Sequence, residues 1–404
     1  MSKEGERKAK NSCVYCGSNP VPHFVYWYFE SADILLTFVR QFLFFNPVFK
    51  WLKVVGRKTN LGWILARAGM ALKIIGVNSD INKCKVPRAK VLWEEAIERG
   101  IEMRELLLLG KPFDVYVAES EKRKAKSEKL VFSGLPRSAE SDNPRLDLMD
   151  DKAIFKKWLK EKNLPVPEGN SCWNFFQAKK IFYNIRKPAI VKPRSGSRGR
   201  HSTTFVYTEK DLKKAFKIAK KLCHWVMVEE QLTGPVYRAT LINFELCGVL
   251  RGDPPQVTGD GEHNIRELID IKNRQKNSKV KEIIFSNELE NFLAKQNLKL
   301  SSIPAQGEVV NLSEKIGVNY GGSSSEDFEI CRPDNKELFI KAAKIVNDPI
   351  VGFDFIIPDI AKSWKEQRCG FIEANSLPFI NLHHDPLYGR PRNVAAKVWQ
   401  MMGM

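Results

Sequence analysis

The sequence predicts a mixed α/β protein built from more than one compact unit, and three observations carry that prediction. Near the C-terminus, the apolar run Gly352 to Asp359 and the run Gly370 to Asn375 flank a charged loop and read as a β-hairpin. Between Val86 and Val117 the chain alternates helix, glycine and strand. There Ala89, Leu92, Trp93, Ala96 and Ile97 recur at helical spacing up to Gly100, and strand-like Ile101 to Leu106 and Phe113 to Val117 follow. Finally, 404 residues exceed the usual span of one domain, while 43% apolar and 28% charged residues are ordinary globular proportions.

Composition narrows the function. A formal charge of +18, concentrated in the N-terminal third, favours polyanions such as nucleotides, nucleic acid, acidic peptides or an anionic membrane surface. No nucleic-acid motif accompanies it. The first residues, Met1 to Lys10, read as a solvated basic tail. No run reaches the roughly 20 apolar residues that span a bilayer. The most hydrophobic segment, Ile34 to Leu52, is broken by Arg40, Asn46, Pro47 and Lys50. Its phenylalanines at 38, 42, 45 and 49 fall on one helical face, which predicts a core helix; a helix on a membrane surface, flanked by Lys53, Arg57 and Lys58, is the other reading. Eight cysteines are scattered and nothing at the start resembles a signal peptide, so free thiols in a reducing cytoplasm are expected. Only Cys13 and Cys16 have ligand-like spacing. His23 is near and Cys84 is a distant fourth, but no second pair completes a zinc set.

In chain order, residues 20–146 read as one α/β unit, ending in the charged and then Ser, Pro and Asn-rich stretch from Glu119 to Pro144. A second unit opens at Leu146. Asp151 caps a helix over Ala153 to Lys162, and Lys152 sits at its start, where a cation opposes the helix dipole and either meets an anion or is tolerated at the surface. The run Ala189 to Lys192 then brings Lys192 to a strand end. Ser195, Gly196, Ser197, Arg198 and Gly199 follow as a flexible loop whose amides and guanidinium can hold phosphate, or as a basic turn. After a helix over Glu209 to Leu222, the strand Trp225 to Val228 leads into Glu229, Glu230, Gln231 and Leu232. These are acceptors for an adenine amino group and ribose hydroxyls, or simply an exposed strand end. Val236 to Leu250 alternates as a strand pair carrying the cations Arg238 and Arg251. Lys315 and the loop from Gly321 to Ser325 offer a further cation and bare amides.

The hairpin carries the clearest chemistry. Strand side chains alternate, so Glu373 and Asn375 share a face, and pairing with Asp354 gives three oxygen donors together. Such a set suits a hard cation, magnesium on a phosphate substrate rather than zinc. A half-buried hairpin with polar residues facing water is the plainer alternative.

Four stretches together, AIVKPRSGSRGR, VTGDGEHNIRELIDIKNR, KQNLKLSSIPAQGEVVNLS, and VGFDFIIPD with GFIEANSLPF, resemble the ATP-grasp ligases. Within that superfamily they are most similar to the ATP-grasp region of cyanophycin synthetase, over about residues 147–400. The resemblance implies an ATP-grasp domain over 147–404, two α/β subdomains clasping ATP, preceded by a pre-ATP-grasp-like domain over 20–146 and a tail over 1–19. It implies ATP contacts from Lys152 and Lys192, a phosphate-covering loop over Ser195 to Arg200, and adenine reading by Glu229 to Leu232. Asp354, Glu373 and Asn375 would hold two magnesium ions, and Arg251, with Lys315 and Arg238 near the same region, would face acyl-phosphate oxygens. The implied activity is amide formation from a carboxylate and an amine, an amino acid or peptide, in a homo-oligomer. Two departures matter. Gly234 to Val236 lacks the usual ribose carboxylate, for which Glu230 or Asp253 could substitute, and the loop after Asn375 brings in His383 and His384, which suggests a changed substrate. The competing expectations are an ATP-binding but catalytically degenerate regulator, and a membrane or nucleic-acid adaptor acting through residues 1–146.

Overall fold

The computed structural model describes residues 13–16, 21–23, 27, 28, 67–120, 129–137, 146–195 and 199–404. The helix expected over 34–52, the first dozen residues and Gly196, Ser197 and Arg198 lie outside them.

The N-terminal unit contains β1 (Ile75–Asn78), α1 (Pro87–Glu98), β2 (Glu102–Leu108), β3 (Lys111–Glu119) and β4 (Leu130–Ser133). Its four strands pair in sequence order, each antiparallel to the next. Gly100 ends α1 because it takes φ +68°, which lets the Ile101 N–H close on the Ala96 carbonyl at 2.8 Å.

The middle of the chain supplies α2 (Leu146–Met149), α3 (Lys152–Lys160), β5 (Gly169–Cys172), α4 (Phe175–Tyr183), β6 (Ala189–Pro193), β7 (Thr203–Val206), α5 (Glu209–Lys220) and β8 (Val226–Glu230). The four strands form an antiparallel sheet in the order β5-β8-β6-β7. Phe182, Leu212 and Phe216 from α4 and α5 pack with Val191 and Val228 into one core on this sheet. The expected cap is present: Asp151 accepts from the N–H groups of Ala153 at 2.9 Å and Ile154 at 3.1 Å.

The remainder begins with β9 (Val236–Ile242), β10 (Glu245–Asp253), β11 (Gln256–Thr258), α6 (Ile265–Gln275), α7 (Asn287–Lys295), β12 (Val309–Asn311) and β13 (Ser323–Glu326). It ends with α8 (Pro333–Val346), β14 (Ile350–Ile356), β15 (Gly370–Asn375), α9 (Asn381–His384), β16 (Tyr388–Gly389) and α10 (Val394–Met401). A six-stranded sheet runs β15-β14-β9-β10-β13-β16, antiparallel except between β13 and β16. Ser323 to Ser325 therefore belong to an edge-side strand rather than to the free loop expected there. Tyr237, Ala239, Leu241, Phe353, Phe355 and Phe371 from this sheet meet Phe155 of α3 and Phe339 of α8 in the largest core. The paired strands β11 and β12 pack with α6 and α7 into a smaller one.

The N-terminal meander does not stand apart. Leu92, Trp93 and Phe132 share a core with Ile350, Ile380, Val398 and Trp399, and the Trp399 indole N–H donates to the Leu92 carbonyl at 2.9 Å.

Candidate active site

Register places the strand-borne charges in one row. Arg238 on β9 is opposite Asp354 on β14, and Asp354 is opposite Glu373 on β15. Their immediate neighbours Tyr237, Ala239, Phe353 and Ala374 are buried in the core, so the charged row occupies the other face of the sheet. Asn375 lies two residues beyond Glu373, opposite Gly352. Arg238 grips Asp354 with both ends of its fork, Nε to Oδ1 at 2.8 Å and Nη2 to Oδ2 at 2.9 Å.

Three lysines converge on this row. Lys152, at the first turn of α3, puts its Nζ 3.3 Å from Glu373 Oε2. Lys192 on β6 reaches Glu229 Oε2 on β8 at 2.9 Å, and Lys156, one turn after Lys152, pairs with the other oxygen of Glu229. All three lysines are buried. Arg194 ties the two halves together, its Nε donating to Asp151 Oδ2 at 2.9 Å, so the strand that carries Lys192 is fixed to the helix start that carries Lys152.

The electrostatics are those of an anion site short of an anion. Four cations, Lys152, Lys156, Lys192 and Arg238, face three carboxylates, Glu229, Asp354 and Glu373. Burial alone would raise the Glu229 carboxyl, but Lys156 and Lys192 outweigh it and hold it at about 2. Burial pushes the Lys156 ammonium down to about 7 despite its pairing with Glu229. Glu373, also raised by burial, is drawn below its ordinary value by Lys152, Lys192 and Arg238. Asp354 is pushed up by burial, against the pull of Arg238 and with the help of the facing Glu373. A phosphate would supply the missing negative charge, and two facing carboxylates with an amide oxygen nearby are the hard donor set that magnesium takes.

Several expected site residues are engaged elsewhere. The Glu229 side chain is consumed by its two lysines, and Glu230 accepts from Arg368 Nε at 3.1 Å and Nη2 at 2.5 Å and from the Glu168 N–H at 2.6 Å. Neither carboxylate is free to read adenine or ribose. Gln231 Oε1 accepts from the Phe205 N–H at 2.7 Å, and Leu232 is buried. Arg251 donates to Asp253 at 2.9 Å, and Asp253 also accepts from Ser323 Oγ at 2.9 Å. Lys315 pairs with Glu288 at 2.8 Å.

His383 and His384, expected beside the substrate, both make contacts within the fold. His383 is fully buried, its Nδ1 2.5 Å from Glu326 Oε2 and its Nε2 2.7 Å from Thr240 Oγ1, so both ring nitrogens hold the fold. Gly248 makes room for it: a Cβ there would fall 2.4 Å from His383 Nδ1. His384 Nε2 accepts the Ala395 N–H at 3.1 Å in the first turn of α10. His383 is thus held by the fold on both ring nitrogens, whereas His384 is half-buried with Nε2 engaged. Among the functional candidates, sequence reading missed Lys156, whose i, i+4 spacing from Lys152 places both on one helical face.

The two α/β layers around this charged row have the ATP-grasp fold. Among characterised proteins, the chain is similar to the glutathione biosynthesis bifunctional protein GshAB of Clostridium perfringens, 32% identical over 322 residues, 78% of this chain and 40% of that protein. Cyanophycin synthetase of Crocosphaera subtropica is 30% identical over 266 residues, 64% of this chain and 30% of its own length. The crystal structure of a bifunctional glutathione synthetase from Pasteurella multocida shares the fold, with a TM-score of 0.54 and 24% identity over 80% of this chain and 44% of that one. The chain thus spans less than half the length of the curated relatives it matches. No family model matches it.

Proposed function

We propose that this chain is an ATP-dependent, ADP-forming carboxylate–amine ligase. The observation that carries the reading is the facing pair Asp354 and Glu373, set by strand register beside the buried Lys152 and Lys192. A substrate carboxylate oxygen attacks the γ-phosphorus of ATP, ADP leaves, and an acylphosphate forms. An amine then attacks the acyl carbon, inorganic phosphate departs, the nitrogen loses its proton and an amide results. Such chemistry asks for charge placed where negative charge accumulates.

Lys152 and Lys192 hold phosphate oxygens, and the loop over Ser195 to Arg200 covers them. Asp354, Glu373 and Asn375 would hold two magnesium ions, which would draw charge away from the phosphates. Arg238 now neutralises Asp354, the position a metal would take over. Arg251, here paired with Asp253, is assigned to the acyl-phosphate oxygens by the family resemblance. With the Glu229 and Glu230 side chains engaged, and the Glu230 and Gln231 N–H groups bonded to the Glu168 and Pro188 carbonyls at 2.8 and 2.9 Å, the Leu232 backbone is assigned to adenine. Similarity to enzymes named for glutathione and cyanophycin synthesis supports an amino acid or peptide as substrate. We further infer a cytoplasmic homo-oligomer; all eight cysteines are free thiols, and no helix among the described residues is long and apolar enough to cross a membrane.

Incubation with magnesium ATP and a panel of amino acids and short peptides should release ADP in step with amide product. Glu373→Gln should lower that rate by roughly 100-fold or more while the chain stays folded. A chain that binds ATP but gives no substrate-dependent ADP across the panel would instead be a degenerate regulator, and the ligase reading would fall.

A further inference from the structure

Cys13, Cys16, His23 and His201 bring four ligand atoms within 4.8 Å of one another. Cys16 Sγ lies 3.2 Å from His23 Nε2 and 3.3 Å from His201 Nε2; the two Nε2 atoms are 3.2 Å apart, and Cys13 Sγ is 3.6 Å from His201 Nε2. With bonds of about 2.3 Å to sulfur and 2.0–2.1 Å to nitrogen, ligands at tetrahedral corners stand about 3.3–3.8 Å apart. Four of the six separations lie at or near that spacing, and the other two, both from Cys13, are within 4.8 Å, so one ion could be reached by all four atoms.

The surroundings prepare the set. A single 3-10 turn, closed by the Cys16 N–H on the Cys13 carbonyl at 3.0 Å, turns both sulfurs to one side. His201 is buried, and its Nδ1 lies 2.7 Å from the Ile218 carbonyl. That contact requires the proton on Nδ1 and leaves the Nε2 lone pair aimed at the cluster, the outer-shell arrangement that metal-binding imidazoles use. His201 also sits at φ +53°, a backbone conformation that a non-glycine residue keeps only where its surroundings impose it, and its N–H donates to the Tyr15 carbonyl at 3.0 Å. Two thiolates and two neutral imidazoles would cancel the charge of a divalent ion.

We propose that Cys13, Cys16, His23 and His201 form a structural zinc site. All four tetrahedral positions are filled by protein, so the ion has no open position for catalysis and acts as a clip. What it clips is informative. His201 directly follows the Ser195 to Arg200 loop, and the segment that carries the cysteines also docks on α5, where the Trp27 indole donates to the Lys220 carbonyl at 3.2 Å and packs against His224. Zinc thus anchors the far end of that loop to the N-terminal segment. The site stands independently of the ligase reading.

The test is metal content and coordination in the full chain. Purified from zinc-supplemented medium and freed of loose metal, it should carry about one zinc per molecule. His201→Gln and Cys16→Ser should each lose most of it, whereas Cys84→Ser, altered in the separate N-terminal core, should keep it. Cys13→Ser, at the less buried cysteine, provides a variant less prone to misfold. Cobalt added to the reduced, zinc-free chain should produce the visible absorption of tetrahedral cobalt with thiolate ligands. Amides just after the loop should exchange hydrogen faster once zinc is removed. A reduced chain that takes up neither zinc nor cobalt stoichiometrically, or variants that keep their zinc, would overturn the site.

Discussion

Glu229 is where burial and charge compete most directly. Isolated in the interior its carboxyl would titrate upward, yet Lys156 and Lys192 close on it from two sides and hold it at about 2, against 4.5 in the unfolded chain. The sign of its pH dependence follows. A carboxylate whose folded value is depressed contributes stability that is complete above about 4.5 and fades as pH falls toward 2. Glu229→Gln should therefore cost roughly 3–5 kcal/mol near neutral pH, because two buried ammonium groups lose their partner. Urea denaturation should show the gap to the parent chain narrowing as the pH is lowered below 4.5. The same logic separates His383 from catalysis. A ring whose two nitrogens are both engaged, by Glu326 and Thr240, inside a closed core has nothing left to offer a substrate.

At the scale of elements, the start of α3 joins two functions in one turn. Asp151 caps the helix through the Ala153 and Ile154 N–H groups and simultaneously receives Arg194 from the end of β6. Lys152 follows the cap directly, so any loosening there displaces the ammonium proposed to hold phosphate as well as the strand carrying Lys192. Asp151→Ala should destabilise the fold by roughly 1–2 kcal/mol through the lost cap. It should raise the KM for ATP more than it lowers kcat, a split that steady-state kinetics at fixed amine and carboxylate would reveal. The β9, β14 and β15 ladder works differently. Its row of Arg238, Asp354 and Glu373 is set by register, and a slip of one residue would turn every member into the aromatic core.

For the whole molecule, the N-terminal meander and the last helix share a core, so the two ends of the chain depend on each other. Trp399 packs edge-on against Phe132 with ring centroids 6.2 Å apart and donates its indole N–H to Leu92 on α1. Trp399→Ala should cost roughly 3–5 kcal/mol. Calorimetry should show the main transition shifting down as one unit, because α1 and α10 share one core with the N-terminal strands. A zinc clip at the C-terminal end of α5 would add a second long-range tie, from the chain's first described residues to the loop proposed to cover phosphate.

Much of the architecture was legible locally. Helix caps, the glycine stop at Gly100, the strand alternation and the hairpin depend on neighbours within a few residues, and the structure places them within two or three residues of where the pattern predicted. Shared faces were legible too, since Glu373 and Asn375 need only the two-residue period. Long-range partners were not. Lys156 reads as an ordinary helix lysine until the fold sets it against Glu229, 73 residues away. His383 and His384 look like site residues until the fold buries one and ties the other to a helix end. The sequence showed no complete zinc set, with distant Cys84 the further candidate it offered, because His201 lies 188 residues from Cys13. Periodicity and capping are short-range properties of a chain, whereas which charges meet, and which cysteines find histidines, is decided only when hydrophobic burial packs distant segments together.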